Sequence, residues 1–239
     1  MKKRAKYFAT SSTTVLNASL MWFGIGLVSM LGVATIFGFI PQMQEVAATL
    51  FASRAFITLM SITAIGLMIA ISFMARTARI ETLIFMYIAF AIVEGFSLSM
   101  ILIQFAFAGQ TWKVLMLLLI PSITMLVMGM IGYLQLFDFS KISRFLMFSF
   151  IGLFISGLIM MFIPGINRLW TLYSMIAYGI FTLYVGYDFW RISRLDDILD
   201  LNGNHDKETV RRYGILFGLS LLIDFIQLVW YLARILFSR

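Results

Sequence analysis

Cysteine is absent from the 239 residues and histidine occurs once. Disulfides, thiolate metal sites and cysteine nucleophiles are thereby excluded, and one imidazole cannot build a zinc cluster by itself. That histidine, His205, lies in the polar run DLNGNHDKE and is expected to be a solvated loop residue. Proline is scarce, at three residues. Pro41 and Pro164 stand at the ends of apolar runs, whereas Pro121 sits inside one, where a kink is expected. Charge is scarce too: 12% of residues are Asp, Glu, Lys or Arg, against about 25% in a soluble globular domain.

What fills the space is apolar. Hydrophobic residues make up 62% of the chain and the mean hydropathy is +0.97, the composition of an integral membrane protein. The net charge of +7 does not point to nucleic acid, because the basic residues lie in short clusters between apolar runs, the distribution that sets membrane orientation. The start MKKRAK resembles the first part of a signal peptide, but the apolar run after it is too long and no small-residue cleavage site follows. It reads as an uncleaved first helix.

A membrane-spanning helix needs about 20 mostly apolar residues, and seven stretches qualify: Leu16 to Ile40, Ala55 to Ala75, Thr82 to Phe107, Trp112 to Phe137, Phe145 to Ile163, Leu169 to Trp190 and Tyr213 to Phe237. The expectation is one all-α seven-helix membrane domain over residues 1–239, with an N-terminal cytoplasmic tail at 1–15 and a cytoplasmic loop at 191–212. Glycines inside the runs, such as Gly24, Gly26, Gly32 and Gly38, suit close helix packing. With the N-terminus inside, Lys2, Lys3, Arg4, Lys6, Arg76, Arg79, Lys141, Arg144, Arg191, Arg194, Lys207, Arg211 and Arg212 all face the cytoplasm. These are thirteen of the eighteen basic residues, which supports N-in, C-out. No internal repeat of the inverted-transporter kind is visible.

Of the eleven acidic residues, eight fall in loops or at helix ends. The other three are Glu94 in FAIVEGFSL, Asp188 in LYVGYDFW and Asp224 in LLIDFIQLVW. A carboxylate at mid-membrane costs about 2.5–3.5 kcal/mol on insertion scales, so such residues face a cavity or a partner and are functional candidates by default. Ser220, Asp224 and Gln227 share one face of the last helix by their spacing of four and three. This polar stripe turns oxygens inward, and oxygen ligands suit a hard cation such as calcium, although so few fit passage or weak binding better than storage. Counted from the apolar edges, Asp224 lies about 16 Å deep at ~1.5 Å per residue, whereas Asp188 lies only a few Å in; depth alone does not pair them.

Tyr184-x-x-Tyr187-Asp188, then a polar segment, then Ser220-x-x-x-Asp224-Phe225-Ile226-Gln227-Leu228 and Arg234, resembles the closing signature of the transmembrane Bax inhibitor motif family. YSMIAYGIFTLY, FDFSK around Asp138 and FAIVEGFSL are similar to earlier blocks of that family, so the resemblance covers essentially the whole chain. It implies a bundle with the last helix central and six around it, and a pH-sensitive calcium leak. It also implies that Asp188 and Asp224 form a hydrogen-bonded, pH-sensing pair that serves as gate and as a weak calcium site. An arginine near the end of the second helix engages the seventh-helix aspartate in the family, and Arg76 and Arg79 are the candidates. Ser220, Gln227 and Tyr187 are expected beside the gate, and Glu94 along a possible cation path. The chain departs from the family pattern in a longer segment between the two aspartates and in Gln227, where asparagine is common.

Two carboxyls in contact in a low-dielectric setting cannot both ionise cheaply, so they hold a proton between them and titrate as a unit. Loss of that proton replaces attraction with repulsion, a bistable gate. The competing expectation is a membrane interaction protein that regulates a protease or a stress or survival response by docking partner helices, with no ion passing. An enzyme fits poorly. No membrane segment contains histidine or lysine apart from Lys113 at a helix edge, so a serine protease lacks its base. The Gly-x-Gly-Asp context of presenilin-type proteases is absent at both aspartates, and no lysine in the last helix could hold retinal. No cofactor is expected, calcium is the transported ion, and the partners are the lipid bilayer and other membrane proteins such as a membrane protease. The expected location is a bacterial inner membrane, with the endoplasmic reticulum second.

Overall fold

The computed structural model describes residues 14–75, 77–161, 167–202 and 206–237. Within them the chain forms α1 (Val15–Phe39), α2 (Pro41–Ala52), α3 (Arg54–Met74), α4 (Ile80–Phe107), α5 (Thr111–Tyr133), α6 (Ser143–Met161), α7 (Asn167–Asn202) and α8 (Lys207–Phe237). No strand is present among the described residues. Seven of the helices are long and apolar enough to cross a membrane; α2, at 12 residues, is too short to do so. His205 and Arg76 lie outside the described residues.

Local sequence sets the helix ends. The Thr14 hydroxyl accepts from the Asn17 N–H to cap α1, Ser53 does the same for α3 through Phe56, and Pro41 opens α2, where a missing N–H costs nothing. Gly109, at φ +67°, takes the left-handed turn that joins α4 to α5. α5 stays helical through Pro121.

The last helix is the axis of the molecule: α8 packs on α1, α7, α5, α4 and α3. Close approach depends on small residues. A Cβ on Gly214 or Gly218 of α8 would press on Ala18 or Trp22 of α1, one on Gly95 of α4 would fall on the Met30 carbonyl, and one on Gly132 of α5 would fall on the Gly186 carbonyl of α7. Where six helices were expected around the last, five pack on it and α6 leans on α7 instead. The reason is visible on α6, whose Phe145, Phe148, Phe150 and Phe154 all point outward and are more than half exposed, a lipid-facing surface rather than a buried one.

Two stretches expected as loops are helical. The connection between the first two spans contains α2, seated by Ala47, Leu50 and Phe51 on Phe96 and Ile103 of α4, while the Gln44 amide reaches back to the Gly38 carbonyl. Residues 191–202 continue α7, and α8 begins at Lys207. Ile192 and Leu199 turn into the bundle while Arg191, Arg194 and Asp197 stay outside, the one-sided pattern of a helix that leaves the membrane without leaving the protein.

Candidate functional site

Helical continuity brings the two aspartates to one level. Asp188 lies 14 residues before the α7 end and Asp224 lies 17 residues after the α8 start, which is about 21 and 26 Å along two packed, oppositely directed helices at ~1.5 Å per residue. Both side chains are buried, at 6% and 5% exposure. The two lie within electrostatic reach of each other across the α7–α8 seam, but among the described residues the hydrogen bonds of Asp188 run to Arg191 and Ser220, so the direct hydrogen bond between the aspartates that the resemblance implies is not formed. Ser220, one turn before Asp224, faces the Asp188 carboxyl, and Tyr184 lies within electrostatic reach of both aspartates while donating its hydroxyl proton to the Leu146 carbonyl of α6 at 2.8 Å.

One acid is served and the other is not. Asp188 Oδ1 accepts from Arg191 Nη1 at 3.3 Å. Asp224 Oδ2 is buried without a hydrogen-bond partner among the described residues, and unsatisfied buried oxygens are rare enough to require a reason. The charged groups that face Asp224 are Asp188 and Arg191. Arg191 is half-exposed, with its guanidinium over the rings of Tyr187 at 5.7 Å and Phe217 at 5.4 Å. It therefore caps the pair on the side of the polar helix ends, held by aromatic faces and by the carboxylate.

Among the described residues, the guanidinium beside the pair comes from α7; Arg76 lies outside them. Arg79 is exposed at the N-cap of α4. The arginine that ties α8 to the α3–α4 connection is Arg212, which donates to the Ala75 and Ala78 carbonyls at 3.1 and 2.7 Å and pairs with Glu208 at 2.8 Å. Arg191 follows Asp188 by three residues, a spacing that puts them on one helical face; that signal was available in the sequence but fell in a segment read as loop. Tyr187 stacks on Trp190 at 5.9 Å and supports Arg191. Gln227 is half-buried on the Asp224 side of α8 and hydrogen-bonds to none of the described residues.

Glu94 is not part of this cluster. It borders a narrow void lined by Met30, Leu98, Ile226, Val229 and Trp230. At about 100° per residue, those three α8 positions point roughly 140–240° away from Asp224, so Glu94 meets the opposite face of the central helix. No group of three or more acidic or histidine side chains is gathered as a metal site among the described residues. The geometry offers instead a two-carboxyl site with one spare oxygen and an adjacent cation.

Around the pair, the extended end of α7 grips its neighbours. Asp196 accepts from the Val15 and Leu16 N–H groups at 2.7 and 3.4 Å, capping α1 from another helix. Gln135, at φ 52° just past α5, donates to Ser193 and Asp197, both at 3.0 Å. Neither contact was legible in sequence, since each joins positions more than fifty residues apart.

An all-helical membrane bundle around a central last helix, with a carboxyl pair buried at its innermost seam, is a definite class of integral membrane protein. The chain belongs to the family described as inhibitor of apoptosis-promoting Bax1, whose profile matches residues 12–239. It is similar to an uncharacterized protein of Borreliella burgdorferi, at 27% identity over 220 residues that cover 91% of this chain and 90% of the relative. It is also similar to the inner membrane protein YbhL of Escherichia coli K12, at 26% identity over 226 residues that cover 91% and 88%.

Proposed function

We propose that the protein is a pH-sensitive calcium leak whose gate is the Asp188–Asp224 pair. The observation that carries this reading is the unpartnered Oδ2 of Asp224 beside a second buried carboxyl. With a proton between them, the two acids hold α7 against α8; without it, two negative charges in a dry seam repel. That charge attracts a hard cation to carboxylate oxygens and sets it in competition with the Arg191 guanidinium, which already holds Asp188. Gate and cap therefore sit one turn apart on the same helix, and calcium is cargo.

The proposed orientation places the polar ends of α7 and α8 in the cytoplasm of a bacterial cell. Thirteen of the eighteen basic residues then lie inside, as the positive-inside rule requires.

The test is calcium entry into dye-loaded liposomes from about pH 5 to pH 8. Wild type is expected to give protein-dependent flux with a pH profile that flattens in Asp224→Asn. Equal profiles in wild type, Asp224→Asn and Asp188→Asn would remove the gate. No flux above empty liposomes at any pH would remove ion passage and leave the pair as a lock between helices in a protein that acts through membrane partners.

A further inference from the structure

Away from the carboxyls themselves, a large concavity opens among the described residues. It is a groove of about 500 Å³ between α1 and α5, which run side by side here without a continuous packed seam. Its floor is Phe189 of α7 and Phe225 of α8, the residues that directly follow Asp188 and Asp224. The groove is deep because Gly129 has no side chain: a Cβ there would already meet the Phe189 ring at 2.9 Å.

We propose that this groove binds one acyl chain of a bilayer phospholipid. Three observations select that occupant. The lining carries no charged residue and, besides Ser122 and Tyr133, no polar side chain; the Ser122 hydroxyl at its inner end is spent on the Leu118 carbonyl at 2.7 Å, so the wall suits hydrocarbon. The groove follows α5 from Ser122 to Leu134 and α1 from Leu16 to Leu27, about 18 and 16 Å at ~1.5 Å per residue. That is close to half of the ~30 Å hydrocarbon core, the reach of one chain from the headgroups to the midplane of the leaflet at the α1 N-terminal end. Finally, a Cβ on Gly129 would already meet the Phe189 ring, so the bottom of the groove takes a bare hydrocarbon chain more readily than a helix about 10 Å wide with its side chains.

The mouth faces the bilayer. Leu20, Leu126, Met130 and Leu134 are 41 to 64% exposed along it, so a chain enters sideways from the membrane and comes to rest on the two aromatic rings. This site is independent of whether the aspartates gate calcium, and its test does not use flux.

The test is native mass spectrometry of the full chain, purified in detergent and exchanged into micelles that contain palmitoyl-oleoyl-phosphatidylglycerol. The expected result is one retained lipid per chain. Leu20→Trp combined with Met130→Trp fills the mouth and should cut retention at least tenfold, whereas Ile155→Trp on the outer face of α6 should not change it. Wild type without retained lipid, or undiminished retention in the filled variant, overturns the proposal. Should the filled variant fail to fold, wild type in vesicles with an acyl-chain diazirine phospholipid decides. Adducts at Phe23, Gly129 or Phe225 support the site, and adducts confined to outward positions such as Phe148 and Ile155 overturn it.

Discussion

Replacing Arg191 with Gln removes the cation that faces both carboxyls while leaving the carboxyls in place. Calcium then has no resident competitor, and flux at a fixed pH is expected to rise several-fold over wild type in the liposome assay; unchanged or lower flux would show that Arg191 does not cap the path. Glycine contacts give a second residue-level test. A methyl on Gly132 would fall on the Gly186 carbonyl, so Gly132→Ala should destabilise by about 1–3 kcal/mol, the usual cost of overpacking, seen as a lower thermal midpoint in detergent. Gly152→Ala meets nothing within 4 Å and should be neutral or gain up to ~1 kcal/mol in helix propensity. Asp188, near the end of its apolar run, was joined to Asp224 only by the family resemblance, whereas Asp224 was legible in sequence because a lone charge among twenty apolar residues stands out. Glu94 was legible for the same reason, yet its separation from the pair was not, because sequence shows depth along a helix far better than direction around the bundle.

At the scale of elements, the turn from α5 to α6 is held by a carboxylate, Asp138, that caps Ser140. The Ser140 hydroxyl donates to Asp138 at 2.6 Å and holds that carboxyl below its usual range, with the Ser140 N–H, Lys141 and Arg194 acting in the same direction. A group depressed in the folded state stabilises fully above its unfolded value, about 3.9, and loses that contribution as pH falls through the folded value. Hydrogen exchange in residues 134–142 should therefore be faster in Asp138→Ala than in wild type at neutral pH, with the difference vanishing only in acid well below pH 4. Equal exchange at pH 7 would contradict this. The seven spans were legible because a 20-residue apolar run has no other stable home. α2 was not, since a 12-residue half-apolar segment fits a loop or an interfacial helix equally well, and neither was the end of α7, whose charged residues RISRLDD mimic a loop when only hydropathy is read.

At the scale of the whole molecule, seven candidate spans among the described residues, an odd number, would put the two ends on opposite sides of the membrane. Alkaline phosphatase fused after residue 239 should be active in a bacterial host, and the same enzyme fused after residue 15 inactive; the reverse pattern would invert the orientation proposed from charge. Membership in the helical class followed from composition alone. The arrangement did not: which helix is central, and that α6 leans on α7, depend on side-chain size at crossings such as Gly132 with Gly186, which no hydropathy pattern encodes. The depth mismatch between Asp188 and Asp224 disappears once α7 is followed to Asn202 and α8 from Lys207, since the two aspartates then lie at similar distances from those helix ends.

The packing of α1 directly on α8 also has a consequence in time. The first span waits, in the membrane, for a partner made almost two hundred residues later, about 10–40 s at bacterial synthesis rates of ~5–20 residues per second. Until α8 is inserted, α4 can already join α1 through Gly95 on Met30 and Tyr87 on Trp22, but the Ala18 side of α1, on which Gly214 closes, stays open. Nascent chains stalled before residue 207 should accordingly be the form most open to membrane quality control, and maturation should be complete only when the last helix enters.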